Sequence, residues 1–329
     1  MPYKPPYDLT PEMLDLLKEI NRLIGRIEGY QLLSGNLKLR RVNKIKSLHS
    51  SLAIEGNSLS KEQVTAIIDG KRVLGKQQDI HEVQNAIKVY DRLEQIDPFS
   101  EDELLDIHQL LMSGLITDAG RYRNSGVGVI DGSIVVHLAP PAKQVPSLMG
   151  DLFDYLNNYL EDIIIKSCVF HYEFEFIHPF SDGNGRMGRL WQTAILKTKY
   201  PDLAAVPLES IIHDRQQGYY DALLQSQRVA DSNPFILFSL RALHDALAEQ
   251  INTTVAIPQN YADRLSAWKT QIGESLFSRK DYQIFHKAVA PATATRDLAK
   301  GVEEGVLSRT GAFRTTLYKF ATSRSNQMI

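Results

Sequence analysis

Residues His178 to Arg189 read HPFSDGNGRMGR, which places one histidine, one carboxylate, a Gly-Asn-Gly turn and two arginines within a dozen positions. Pro179 removes a backbone donor and biases His178 away from helical geometry, so His178 belongs at the end of a helix. Gly183-Asn184-Gly185 admits backbone conformations closed to bulkier residues, and a helix starting there offers unpaired N–H groups and a positive dipole end. Such an end holds phosphate. Arg186 and Arg189, three apart, share a face on which they can clamp further phosphate oxygens. Asp182 stands just before the turn, suited to hold Mg²⁺, a hard cation that takes one or two carboxylates plus phosphate oxygens. A nucleotide phosphate beside His178 suits general-base attack of a hydroxyl on phosphorus.

Several other chemistries are excluded. The Lys-Ser/Thr of a Walker A loop is missing after the last glycine, and no HExxH spacing occurs. Cys168 is the only cysteine, so neither an intrachain disulfide nor a cysteine-based zinc site can form, which fits a reducing compartment. A formal net charge of −2 over 329 residues does not mark the whole chain as a nucleic-acid binder. The start MPYKPPYDLTPEM lacks the basic and apolar regions of a signal peptide, and no long uncharged apolar run follows. A cytoplasmic protein without a membrane partner is expected.

The elements that must position these residues are mostly helical. Thr10-Pro11 opens a helix carrying Leu17, Ile20, Ile24 and Ile27, and a second helix runs through Val42, Ile45, Leu48 and Leu52 to Gly56. Ser60 with Gln63 forms a capping box for a third. Between Gly120 and Pro141 the texture turns β-branched, with Asp131-Gly132 separating Val127, Val129 and Ile130 from Ile134, Val135 and Val136. That is a hairpin signal. Helices resume at PSLMGDLFDYLNNYL and KSCVFHYEFEFIHPF, and again from Gly185 through Lys199.

His178, Phe180, Asp182, Gly183, Asn184, Gly185, Arg186 and Arg189 fill every specified position of His-x-Phe-x-Asp/Glu-Gly-Asn-Gly-Arg-x-x-Arg, so the segment resembles the signature of the Fic family. The resemblance implies a helical core with one hairpin flap, and transfer of AMP from ATP to a Ser, Thr or Tyr hydroxyl of a protein, the chain itself included. By that resemblance His178 is the catalytic base, Asp182 holds Mg²⁺ (or Mn²⁺), and Phe180 packs under the loop. Gly183, Asn184, Gly185 and Arg186 bind the phosphates, with Arg189 on the γ-phosphate. Tyr219 or Tyr220, with Gln227, resembles the adenine-pocket helix, and Val127, Val129, Ile134 and Val135 belong to a flap that docks the target chain as an added strand. Ser51, Glu55 and Gly56 in SLAIEGN resemble the family's inhibitory motif, and their place before the core matches its second class. A carboxylate on Arg189 competes with the γ-phosphate. In some relatives the same glutamate positions a water that removes AMP, so de-AMPylation through Glu55 is also implied.

Three regions are expected: an N-terminal helical region (1–98), the catalytic core (99–250) and a separate module (259–329), with a linker near QINTTVAIPQN. The last region holds eleven Lys/Arg against six Asp/Glu, a net of +5. Its order of short helix, helix and two strands suggests a small winged-helix (α+β) domain, in which Arg296, Lys300, Arg309 and Arg314 would face DNA. The alternative function is therefore a DNA-binding regulator whose core senses nucleotide. A homodimer is a further partner that the sequence leaves open.

Overall fold

The computed structural model describes residues 3–321, apart from 30–32, 34–35, 127, 132–133, 256–260, 287–288 and 312–315. It divides into two compact units, Met1–Glu249 and Gln250–Ile329. Helices α1 (Pro11–Gly29), α2 (Leu37–Ile54), α3 (Lys61–Ile68), α4 (Gln77–Arg92) and α5 (Glu101–Met112) precede a hairpin of β1 (Gly128–Asp131) and β2 (Ile134–Leu138). Then follow α6 (Val145–Asn158), α7 (Ile163–Ile177), α8 (Asn184–Lys199), α9 (Leu208–Asp214), α10 (Gln216–Val229) and α11 (Asn233–Val255). The class is mainly α, as the periodicity predicts.

Helix α7 is the buried axis of the first unit. Apolar side chains stand on every side of it, with Ile164, Val169, Phe170, Phe174 and Ile177 all in the core beside buried Lys166, His171 and Glu173, and it packs mainly on α8 and α6. A helix hydrophobic all round can be stable only inside. Burying each such side chain contributes about 1.5–3 kcal/mol. This rigid pair fixes where one helix ends and the next begins, and the Fic-like loop is the link between them.

Helix α2 ends in a Schellman motif: Gly56 N–H donates to Ala53 O at 3.0 Å, Asn57 N–H donates to Leu52 O at 3.1 Å, and Gly56 takes φ of 88°. The turn places Glu55 at the helix tip. A buried carboxylate, Glu209 of α9, anchors the helix by accepting from Ser47 Oγ (2.7 Å) and from Tyr90 Oη of α4 (2.9 Å). Ser60 and Gln63 form the expected capping box at the start of α3.

In the hairpin, β1 pairs antiparallel with β2 in the register Gly128↔Leu138, Val129↔His137, Ile130↔Val135 and Asp131↔Ile134, with a bulge between Val129 and Ile130. Val127 of the expected flap and Gly132 of the expected turn lie outside the described residues. The helical pattern was expected to lapse at QINTTVAIPQN, yet α11 continues through Thr253 and Thr254 to Val255. β-Branched residues cost only roughly half a kcal/mol each in a helix, which an already nucleated helix absorbs. Pro258 lies outside the described residues.

The second unit contains α12 (Tyr261–Ile272), α13 (Arg279–Phe285), α14 (Pro291–Glu303) and an antiparallel pair, β3 (Leu307–Thr310) with β4 (Leu317–Phe320). It has its own core of Leu265, Trp268, Phe277, Tyr282, Ala294, Leu298, Leu307 and Phe320. Buried Asp297 is satisfied by a two-bond fork from Arg264 (2.6 and 2.7 Å) and by Tyr282 Oη at 3.1 Å. Among the described residues, no helix is long and apolar enough to cross a membrane.

Candidate active site

His178 caps the C-terminus of α7 in the left-handed conformation, φ 51° and ψ 62°, uncommon for a residue with a side chain. Its N–H donates to Phe174 O at 2.9 Å. Phe180 is fully buried beneath the loop, its ring stacked on that of His108 at 3.5 Å and 5°. Asn184 closes the loop through its side chain: Nδ2 donates to Phe180 O and Phe180 N–H donates to Oδ1, both at 2.9 Å. The amide is thus spent on the loop itself, and only the backbone of Asn184 remains for an anion.

Gly183 stands at φ 87°, and a Cβ there would lie 2.8 Å from Met112 Sδ. Asn184, Gly185 and Arg186 precede the first intrahelical bond of α8, from Met187 N–H to Gly183 O at 3.0 Å. Their N–H groups have no partner within the helix, the arrangement that receives anions. Asp182 sits at the rim with its side chain 53% exposed; Oδ1 accepts from Gly183 N–H (2.6 Å) and from Arg186 Nη2 (2.8 Å). No group of three metal-binding side chains converges among the described residues. One exposed carboxylate beside a phosphate site fits Mg²⁺, which keeps water and phosphate oxygens in most of its positions.

Neither arginine lies on a solvated helix face. Arg186 is buried, paired with Asp182 and 3.8 Å from Glu82 of α4, and its Nε has no hydrogen-bond partner among the described residues. Arg189 is 1% exposed, with Nη2 donating to Glu55 Oε1 at 2.8 Å and to Ser51 O at 2.9 Å, and Nε donating to Ser51 Oγ at 3.3 Å. Its Nη1 has no hydrogen-bond partner among the described residues. Burial works to lower the Arg189 pKa, but the Glu55 carboxylate overrides it and the net direction is upward. A Cβ built on Gly185 would fall 2.3 Å from Glu55 Oε1 and 3.0 Å from Arg189 Nη1. Glu55 therefore occupies the space over the start of α8.

The two tyrosines of α10 divide. Tyr219 is buried, its Oη 3.1 Å from His171 Nε2, so it serves the core. Tyr220 is 39% exposed and near Glu55, its Oη 3.4 Å from Ile54 O. Gln227 lies two turns farther along α10, half-buried. Val129, Ile134 and Val135 lie on the hairpin strands.

Four residues central to this geometry escaped the sequence reading. His108 accepts Gly120 N–H on Nδ1 at 2.9 Å, so its Nε2 carries the proton and donates to Asp182 O at 3.0 Å; burial pulls its pKa down to about 4. Glu82 accepts from Asn57 Nδ2 at 2.9 Å, tying the chain after Glu55 to α4. Glu175, one turn before His178, is a buried carboxylate whose pKa burial pushes up to about 8, against the opposing pull of Arg189. Arg123 holds the loop from behind. His108, Glu82 and Arg123 have no local signature, because packing brings each from a distant position in the chain; Glu175 is close in sequence, but only the packing of α7 shows that it is buried.

A family model described as Fic/DOC family matches residues 98–196. The protein adenylyltransferase Fic of Nematostella vectensis is 27% identical over 265 residues, covering 76% of this chain and 58% of that protein. The probable protein adenylyltransferase of Aquifex aeolicus is 34% identical over 152 residues, covering 44% of this chain and 45% of its own. The chain thus spans about half the length of the curated relatives it matches. The crystal structure of a Fic family protein from Desulfovibrio desulfuricans G20 superposes with a TM-score of 0.75 at 43% identity, covering 99% of this chain and 100% of that one. Identity at that level, sustained along both chains and joined to a complete signature at the α7–α8 loop, places this chain in the Fic family.

Proposed function

We propose that this chain is a protein adenylyltransferase held in check by its own Glu55. The observation that carries the reading is the 2.8 Å ion pair from buried Arg189 to Glu55, set over the N-terminus of α8. While the carboxylate is there, the cation suited to a terminal phosphate is taken, and negative charge stands where the phosphate must sit.

With Glu55 displaced, the N–H groups opening α8 receive the phosphate chain of ATP and Arg189 takes its γ-phosphate. His178 accepts the proton of a Ser, Thr or Tyr hydroxyl, whose oxygen attacks the α-phosphorus; the bond to the β-phosphate oxygen breaks, and pyrophosphate leaves. Asp182 would hold Mg²⁺, which supplies charge neutralisation to the phosphates. The hairpin presents backbone to which a target strand adds. The chain's own hydroxyls are among the substrates, and Glu55 can also hold a water that returns AMP from the modified target.

Purified wild-type and Glu55→Gly proteins incubated with α-labelled ATP and a cell lysate test this. The variant labels itself and lysate proteins many-fold faster than the wild type; equal labelling by both removes the brake, and no labelling by either removes the enzyme.

A second reading is favoured by one feature of the C-terminal unit. On α14 the buried stripe Ala294, Asp297, Leu298 and Gly301 leaves Ala292, Thr295, Arg296 and Ala299 exposed, a face small enough to approach a groove closely. Arg279, Lys280 and Arg309 are also exposed. Helices α13 and α14 with the β3–β4 pair would then act as a winged helix on duplex DNA. Salt-dependent binding of a duplex, weakened by Arg296→Ala, supports this reading. No binding at low salt excludes it.

A further inference from the structure

Between α5 and β1, Arg123 is 3% exposed, and among the described residues every acceptor it meets is a backbone carbonyl. Its Nε donates to His178 O at 2.7 Å, Nη1 to Ser125 O at 2.9 Å, and Nη2 to Pro140 O at 2.6 Å and to Ile177 O at 3.2 Å. Its own N–H donates to Pro179 O at 2.9 Å. No carboxylate pairs with it among the described residues; burial lowers its pKa, and only carbonyls offset the cost of drawing its charge away from water. That is an expensive way to fasten a loop if fastening were its whole purpose.

The identity of the four carbonyls gives the purpose. Ser125 precedes β1 and Pro140 follows β2, so they form the two roots of the hairpin; Ile177 and His178 form the end of α7. His178 has positive φ, a backbone state that persists only where its surroundings over-determine it. Phe174 O holds its N–H and Arg123 holds its C=O. The planar, rigid guanidinium fork spans three strands of chain at once, which the single ammonium of lysine cannot do.

We propose that Arg123 is the positioning residue that couples the hairpin to His178, so that a chain docked on the hairpin is registered against the histidine through one guanidinium. The inference rests on the adenylyltransferase reading for its catalytic consequence, but the coupling itself is a property of the fold. Among the described residues Arg123 makes no hydrogen bond or ion pair to the turn from Gly183 to Arg186 or to Arg189, so nucleotide binding and hydroxyl activation separate on its removal.

The test has two arms. In the Glu55→Gly background, Arg123→Lys and Arg123→Gln keep ATP affinity, by calorimetry, within about two-fold. The rate of self-labelling from α-labelled ATP falls by about 100-fold, the cost of misplacing a catalytic group by an ångström. An unchanged rate, or affinity and rate lost together, overturns the proposal. If the Glu55→Gly parent does not label at all, the adenylyltransferase reading fails and the second arm still decides the coupling. Native-state hydrogen exchange on the unaltered chain, which needs no variant to fold, follows the hairpin roots and residues 177–183. A single shared opening free energy is expected; independent opening of the two segments overturns the coupling.

Discussion

Replacing Glu55 by glutamine removes one charge while keeping the side chain's shape, and its effect on stability can be worked from the pair itself. Arg189 is 1% exposed and the Glu55 side chain 29%, at a separation of 2.8 Å. Pairs fully in water contribute about 0–1 kcal/mol, whereas stripping one partner from a fully buried pair costs about 3–5 kcal/mol. This pair has one partner in each regime, so the variant should lose about 1–2 kcal/mol. Burial raises the Glu175 pKa, which works against its replacing Glu55 as the partner of Arg189. For a unit of this size the loss lowers the melting temperature by roughly 2–4 °C. ATP with Mg²⁺ supplies the missing negative charge, and saturation to about 100 times its Kd restores about 2.7 kcal/mol. Circular dichroism melts with and without ATP should show a variant that is less stable alone and gains more from ATP than the wild type. Equal melting temperatures and equal ATP shifts in the two proteins would refute the competition between carboxylate and phosphate.

Further outcomes are expected from the same geometry. His178→Ala in the Glu55→Gly background should lose about 10²–10⁴-fold in labelling while still binding ATP, and retained labelling would move the base elsewhere. Asn184→Ala leaves the N–H and C=O of buried Phe180 unpaired, which should cost about 2–4 kcal/mol in urea unfolding; a loss under about 1 kcal/mol would mean that the loop closes without it. Burial holds the His108 pKa at about 4, below its ordinary 6.5, so the unfolded chain binds the extra proton between those values and stability falls as pH drops through that window. His108→Asn should remove that share of the acid limb, at most roughly 3 kcal/mol, seen as a flatter dependence of urea midpoints on pH. Parallel curves for the two proteins would show that His108 is not held neutral.

The parts of the site that lie within one turn of helix or one loop were readable before any coordinates. Gly56 ending α2 and the Ser60–Gln63 box follow from local backbone demands and are found where those demands place them, and the helix expected from Gly185 starts one residue earlier, at Asn184. The pairing of Glu55 with Arg189 spans 134 positions and was legible only through resemblance to the family. Spacing alone gives no reason for those two residues to meet. His108, Glu82 and Arg123 were hidden for the same reason, without a resemblance to reveal them: a histidine on a helix or an arginine before a hairpin looks ordinary until packing buries it against a loop. The two adjacent tyrosines show a third limit. Periodicity says that Tyr219 and Tyr220 face different ways, but only the packing of α10 against His171 decides that Tyr219 enters the core and Tyr220 stays open.

The most direct test of nucleotidyl transfer under restraint by Glu55 compares α-labelled with γ-labelled ATP on the Glu55→Gly protein, with wild-type and His178→Ala/Glu55→Gly proteins beside it. Label from the α-phosphate should appear on protein, with the mass increase of one AMP. None should come from the γ-phosphate, little should appear in the wild type, and none in the double variant. Transfer of the γ-label, or α-labelling as strong in the wild type as in the Glu55→Gly protein, would contradict the account.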